Sequence, residues 1–119
     1  MYPFTSDQDI TVNEVAQKLD GIDHFILLDI REHDEFNYAK ISDDRVSHVP
    51  MSILATEGIE AFPQNIQEKS SEIIVFCHHG IRSSQVVAWM QEMGWQKVYN
   101  MQGGINAYAS YIDPTVGRY

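Results

Sequence analysis

The segment 77–83 combines a cysteine with the residue types that activate a thiol. It reads Cys-His-His-Gly-Ile-Arg-Ser, and Cys77 is the only cysteine among the 119 residues. A cysteine reacts as its thiolate, which is stabilised by cations, helix N-termini and unpaired backbone N–H groups. Gly80 permits a tight turn with inward-facing amides, Arg82 adds a fixed positive charge, and Ser83 can cap a helix or donate a hydrogen bond. The spacing therefore predicts a nucleophilic Cys77 in a cradle of donors.

Two other interpretations, a cysteine of the core and a metal site, compete with that of a nucleophilic Cys77. A lone cysteine after a buried strand is more often a small core residue than a nucleophile, but the Gly, Arg and Ser that follow favour catalysis. A metal site could use His78 and His79 together with His24, His33 and His48. Consecutive residues on a tight loop cannot readily face one ion, and no second cysteine completes a zinc pattern. We predict no metal and no cofactor, and interpret the two loop histidines as groups that modulate charge or contact substrate.

The elements around this loop follow from the apolar pattern. Runs at 25–30 and 72–76 are typical of strands buried on both faces of a parallel sheet. In the first part of the chain, the pattern predicts a strand and helix in 9–19, with Asn13 as a possible cap, then a short helix at 32–40 and a brief strand at 46–49. In the second part, it predicts short helical pieces in 53–71, a helix at 82–93, a strand at 97–100 and a helix at 105–111.

This alternation predicts one α/β domain over residues 1–119, with a core of about 10–111 and a short tail at 112–119. The sheet is expected to be open and mainly parallel, with helices on both faces. Functional crevices in such sheets lie at the carboxyl ends of the strands. Asp29, Arg31 and Cys77 all fall there.

Charge and cysteine content limit the partners and the compartment expected for this protein. The chain has 8 Lys and Arg against 17 Asp and Glu, a formal charge of -9, which disfavours nucleic acid and anionic membrane as partners. A single cysteine excludes an intramolecular disulfide, and no secretory signal or membrane span is apparent. We expect a soluble protein in the reducing cytoplasm.

The pattern strand-Cys-x-x-Gly-x-Arg-Ser-helix resembles the active-site loop of the rhodanese-like sulfurtransferases. Two further parts of the chain are similar to that family. Residues 28–31, Leu-Asp-Ile-Arg, with Glu35 and Phe36, resemble its early Asp-x-Arg segment, and residues 94–105 resemble its closing region. The resemblance runs from about Ile10 to Tyr111.

The resemblance implies a five-stranded parallel sheet and a double displacement. Cys77 would take sulfane sulfur from a donor such as thiosulfate or a persulfide, become a persulfide itself, and pass the sulfur to cyanide or a thiol, with a sulfur-relay protein as a further possible partner. It implies catalytic roles for Cys77 and Arg82, a substrate loop of His78, His79, Gly80, Ile81 and Ser83, and supporting roles for Asp29 and Arg31.

Two alternatives stay open. A sulfur carrier or partner-binding module would keep the same loop without turnover. A small cysteine phosphatase or arsenate reductase uses Cys-x5-Arg, whereas only four residues separate Cys77 from Arg82, and the shorter ring favours a single sulfur atom. Many thiosulfate-using members carry Arg where this chain has His78, which favours a persulfide or protein donor.

Overall fold

Five parallel strands form a single sheet in a computed structural model that describes residues 8–119. The strands are β1 (Asp9–Ile10), β2 (Ile26–Asp29), β3 (Val46–His48), β4 (Ile73–Phe76) and β5 (Val98–Met101). Their order is β1-β5-β4-β2-β3, and every pair is parallel. The predicted α/β class is confirmed.

Helices cover both faces of this sheet. They are α1 (Val12–Asp20), α2 (Met51–Glu57), α3 (Gln64–Gln67), α4 (Ile81–Glu92) and α5 (Gly104–Tyr111), with short 3-10 helices at His33–Asn37, Gly58–Ala61 and Pro114–Val116. Helices α2, α3 and α4 pack on one face, and α1 and α5 pack on the other. No helix within residues 8–119 is long and apolar enough to cross a membrane.

Strand β4 shows why the sequence contains uninterrupted apolar runs. All four of its residues are fully buried. Ile73 and Val75 belong to the core beneath α2 and α4, whereas Ile74 and Phe76 belong to the core beneath α1 and α5. Because both faces are covered, neither side of the strand can be polar, and Cys77 follows directly at the carboxyl end.

The cap of α1 differs from the prediction. Asn13 lies inside the helix, and Thr11 is the cap, because Thr11 is the last residue with extended backbone. Its hydroxyl accepts from the Glu14 N–H at 3.1 Å, and the Glu14 carboxylate accepts from the Thr11 N–H at 3.1 Å. Thr-x-x-Glu is the sequence signature of this reciprocal capping box.

The tail at 112–119 folds back onto the domain. The Lys40 N–H donates to the Val116 carbonyl at 2.8 Å. Gly117 has φ of 99°, and a Cβ at that position would lie 2.3 Å from the Tyr38 carbonyl oxygen. A close approach that only glycine allows therefore brings Tyr119 to the carboxyl ends of β2 and β4.

Candidate active site

The Cys77 sulfur faces two backbone donors of the loop that follows β4. The Gly80 N–H lies 3.2 Å from Sγ and the Ser83 N–H lies 3.4 Å from it. Gly80 makes this wrap possible with φ of 95°, in the left-handed region that favours glycine, and it ends the loop as the residue before α4. Cys77 is 1% exposed, and its sulfur lies at the N-terminus of α4. The two amides and the helix N-terminus direct partial positive charge at the sulfur atom.

The first turn of α5 fixes the loop from the other side. The Ile105 N–H donates to the Cys77 carbonyl at 2.9 Å, and the Asn106 N–H donates to the His78 carbonyl at 3.0 Å. This approach requires Gly104, where a Cβ would lie 2.4 Å from the His78 carbonyl oxygen. Helix α5 therefore directs the cysteine loop through backbone contacts, a role for Gly104 that sequence reasoning did not assign.

Ser83 lies in the first turn of α4 and does not cap the helix. Gly80 occupies the cap position, and Ser83 is fully buried with its hydroxyl 3.3 Å from the Cys77 sulfur. The same hydroxyl donates to the Asn100 Oδ1 atom at 2.5 Å. Capping was one of two roles expected of Ser83, and the structure replaces it with a contact to sulfur.

Arg82 forms a bidentate ion pair with Glu35. Its Nη1 and Nη2 atoms donate to the two carboxylate oxygens at 2.8 and 2.9 Å. This hydrogen bonding lowers the pKa of Glu35 from its usual 4.5 to about 2 and raises that of Arg82. The positive charge expected at the mouth of the loop is therefore shared with a carboxylate 47 positions earlier in the chain.

The Glu35 carboxylate makes a pH prediction possible. Because its pKa is lower in the folded state than its usual value of 4.5, the pair stabilises the fold above about pH 4.5, and the stabilisation is lost as pH falls towards 2. We expect Glu35→Gln to cost on the order of 1 kcal/mol at pH 7, discounted because Arg82 is one-third exposed. Urea unfolding at pH 7 and at pH 2.5 should show the difference from wild type shrinking at the lower pH.

The exposed Glu60 provides the control for this prediction. Glu60→Gln removes an equal charge from a surface 3-10 helix and should change the unfolding free energy little at either pH. A deficit in Glu35→Gln that is equal at the two pH values would contradict the assignment.

Asp29 and Arg31 form a buried pair at the end of β2. Both are at most 1% exposed, and Arg31 donates to the carboxylate from Nη2 at 2.8 Å and from Nε at 3.0 Å. The Arg31 backbone N–H donates to the same carboxylate at 3.0 Å. Arg31 also donates to the Glu35 carbonyl at 3.4 Å and to the Tyr119 hydroxyl at 3.2 Å, and the expected support of the cysteine loop by this pair stays a prediction.

Tyr119 joins these groups to the histidines of the loop. Its hydroxyl donates to Glu35 at 2.8 Å, and burial raises its pKa to about 12. Its ring stacks on His78 with centroids 3.6 Å apart, and the His78 Nε2 lies 2.7 Å from the Tyr119 carbonyl. Burial lowers the pKa of His78, which disfavours the protonated imidazole. Sequence reasoning did not find Tyr119, because nothing in the tail pattern points to the loop.

The remaining loop residues face outward. His79 is exposed and stacks on His78 with centroids 3.8 Å apart, and Ile81 is 70% exposed at the start of α4. Within residues 8–119, no three His, Cys, Asp or Glu side chains are grouped so that they could hold a metal ion. The described contacts of the two histidines are aromatic stacking and one hydrogen bond to a carbonyl.

Residues 11–111 match the family model of the rhodanese-like domain, and the chain belongs to that family. It is 28% identical over 108 residues to a protein named sulfurtransferase from Allochromatium vinosum, an alignment covering 91% of this chain and 94% of that one. A rhodanese-like domain protein from Staphylococcus aureus has the same fold, with a TM-score of 0.69 and 24% identity over 85% of this chain and 90% of that chain.

Other relatives are longer proteins. The chain is 33% identical over 115 residues, 94% of its length, to the rhodanese-like/PpiC domain-containing protein 12, chloroplastic, from Arabidopsis thaliana. It spans 37% of that protein, and 23% of a tRNA uridine(34) hydroxylase from Erwinia tasmaniensis. The family is therefore shared with proteins of several overall architectures.

Proposed function

We propose that the protein is a sulfurtransferase that moves sulfane sulfur through a persulfide on Cys77. The observation that carries this proposal is the pair of backbone N–H groups of Gly80 and Ser83 directed at one sulfur atom. Membership of the rhodanese-like family and a full-length relative named sulfurtransferase support it.

The reaction has two displacements. The Cys77 thiolate attacks the outer sulfur of the donor, a new S–S bond forms, and the donor S–S bond breaks with its electron pair leaving on sulfite or a thiolate. In the second step cyanide or a thiolate attacks the outer sulfur of the persulfide, and Cys77 leaves as the thiolate. The loop amides stabilise negative charge on sulfur at the start and end of this cycle.

The ion pair of Arg82 bears on the choice of donor. Thiosulfate carries two negative charges and would approach a loop cation that already binds Glu35. An organic persulfide carries one negative charge and depends less on a free guanidinium. We therefore propose a persulfide, small or protein-borne, as the more natural donor, a thiol or cyanide as acceptor, and the cytoplasm as the location.

Intact mass spectrometry tests the proposal. After treatment with polysulfide or thiosulfate and removal of excess reagent, wild type should gain the mass of one sulfur atom, and cyanide should remove it with release of thiocyanate. Cys77→Ser should gain nothing, and its transfer rate should fall by about a thousandfold or more because the nucleophile is gone. Sulfur uptake by Cys77→Ser, or none by wild type with any donor, would defeat the proposal.

A sulfur carrier is the second candidate, favoured by the near-complete burial of Cys77. Discharge of the preloaded protein separates the two candidates. Repeated turnover with cyanide or small thiols identifies an enzyme, whereas slow discharge to every small acceptor identifies a carrier that needs a protein partner. Phosphatase chemistry has less support, since the guanidinium that would hold an oxyanion is bound by Glu35. A phosphatase assay on wild type tests it.

A further inference from the structure

A chain of hydrogen bonds leads from the Cys77 sulfur to the edge of the sheet. Ser83 Oγ lies 3.3 Å from the sulfur and 2.5 Å from Asn100 Oδ1. The Asn100 Nδ2 atom then donates to the Asp9 carboxylate at 3.2 Å. Ser83 and Asn100 are 0% and 5% exposed, so their polar atoms depend on these partners.

The proton positions along this chain are determined by its outer end. An ionised carboxylate only accepts hydrogen bonds, so the amide of Asn100 must turn its NH2 group towards Asp9 and its oxygen towards Ser83. An amide oxygen also only accepts, so the single hydroxyl proton of Ser83 must point at Asn100. Ser83 therefore presents a lone pair to Cys77.

This arrangement suits a thiol and not a thiolate. The thiol can donate its S–H to Ser83 Oγ, which satisfies every group in the chain. A thiolate would face a lone pair, unless Ser83 rotated its proton to sulfur and left the buried Asn100 oxygen without that donor. The Gly80 and Ser83 amides favour the anion, and the hydroxyl opposes them.

We propose that Asp9, acting through Asn100, is a positioning residue that turns the Ser83 hydroxyl proton away from Cys77 and so holds the resting thiol in its protonated form. Asp9 is part of the two-residue strand β1, which thereby acts on the site from across β5. The inference deepens the proposed function, since it concerns the state of the same nucleophile before a donor binds.

The variant Asp9→Asn tests the proposal. An amide at position 9 can accept or donate, so Asn100 can turn over, donate to Ser83, and release the hydroxyl proton to the sulfur. We expect the pH midpoint of iodoacetamide alkylation to move to lower pH, with a threefold to tenfold gain in rate on the acid side, about the size of one buried hydrogen bond. Cys77 is the only cysteine, so alkylation reports this thiol alone.

Two controls separate the hydrogen-bond chain from the loss of a charge. Glu14 lines the same surface depression as Asp9, and Glu14→Gln removes an equal charge while glutamine still serves in the capping box. It should leave the midpoint unchanged. In the Ser83→Ala background, Asp9→Asn should have no effect, because the hydroxyl that transmits it is absent.

The other titratable groups near Asp9 and near the cysteine loop are shared by wild type and the variants. Those beside Asp9 are Glu14, Lys18, Glu72 and Tyr99, and those around the cysteine loop are His78, His79, Arg82, Glu35 and Tyr119. Apart from Glu14 in its own control, each variant leaves them in place. A difference between Asp9→Asn and wild type therefore reports the hydrogen-bond chain or the charge of Asp9 itself.

An unchanged midpoint in Asp9→Asn, or the same shift in Glu14→Gln or in the Ser83→Ala background, would overturn the proposal. Should Ser83→Ala fail to fold, the S–H stretching band in the Raman spectrum decides. The frequency of this band should be higher in Asp9→Asn than in wild type, because the Cys77 thiol no longer donates to the Ser83 hydroxyl. An identical band in the two proteins would refute the positioning role of Asp9. Neither measurement needs a sulfur donor, so each stands whether or not sulfur transfer is observed.

Discussion

The Gly104→Ala variant is expected to load sulfur at least about 100-fold more slowly than wild type, the scale of effect of a misplacement near 1 Å at a reacting group. A Cβ at this position would lie 2.4 Å from the His78 carbonyl oxygen and 2.6 Å from that of Cys77. Both are backbone atoms, so the loop or the start of α5 must move. We expect a loss of about 2–4 kcal/mol in the unfolding free energy, since a non-glycine residue at φ of 64° adds strain to the collision.

Gly58→Ala is the matched control for this variant. Gly58 has φ of 65°, and nothing lies within 4 Å of a Cβ built on it. It should show the conformational cost alone, about 1–3 kcal/mol for its φ of 65° and ψ of −146°, with unchanged sulfur loading. Loading rates measured by mass spectrometry under conditions where both variants are folded test the comparison. Equal rates for the two variants would show that the contact between α5 and the cysteine loop has no catalytic importance.

The second large effect is expected from Arg31→Met. Asp29 is 1% exposed, and removal of its partner leaves a buried carboxylate without a countercharge. We expect a loss of about 3–5 kcal/mol, which is a large part of the 5–15 kcal/mol typical of a domain this size. Urea unfolding followed by the fluorescence of Trp89 and Trp95 measures it at pH 7.

The double variant Asp29→Asn with Arg31→Met identifies the cause. It removes the orphaned charge while the amide oxygen can still accept from the backbone N–H of residue 31. It should be more stable than Arg31→Met, although the Tyr119 hydroxyl still lacks its donor. A double variant no more stable than the single would attribute the loss to packing and to Tyr119, and not to the buried charge.

The sequence identified those parts of the fold that depend on neighbouring residues. The runs at 25–30 and 72–76 appear as β2 and β4 because strands covered on both faces must be apolar throughout. The turn at Gly80 was predictable for a similar reason, since its φ of 95° depends on a local backbone requirement. The Thr11 cap was equally local, and the prediction chose Asn13 by overlooking the Thr-x-x-Glu pattern.

The side chains that surround the Cys77 sulfur could not be predicted from neighbouring residues in the sequence. Glu35 and Arg82 are 47 positions apart, and Asp9 and Asn100 are 91 positions apart. Their pairing depends on the sheet order, which places β2 beside β4 and β1 beside β5. Glu35 was noted only as part of a family segment. Tyr119 carried no signal, because its contacts require the close approach of Gly117 to Tyr38.

The contact of Tyr119 with Arg31 has a consequence for synthesis of the chain. These residues are 88 positions apart, and the cost of closing so long a loop must be met before the contact is formed. Because Tyr119 follows all five strands along the chain, Glu35, Arg82 and the histidine loop can receive this partner only after the whole sheet has been synthesised.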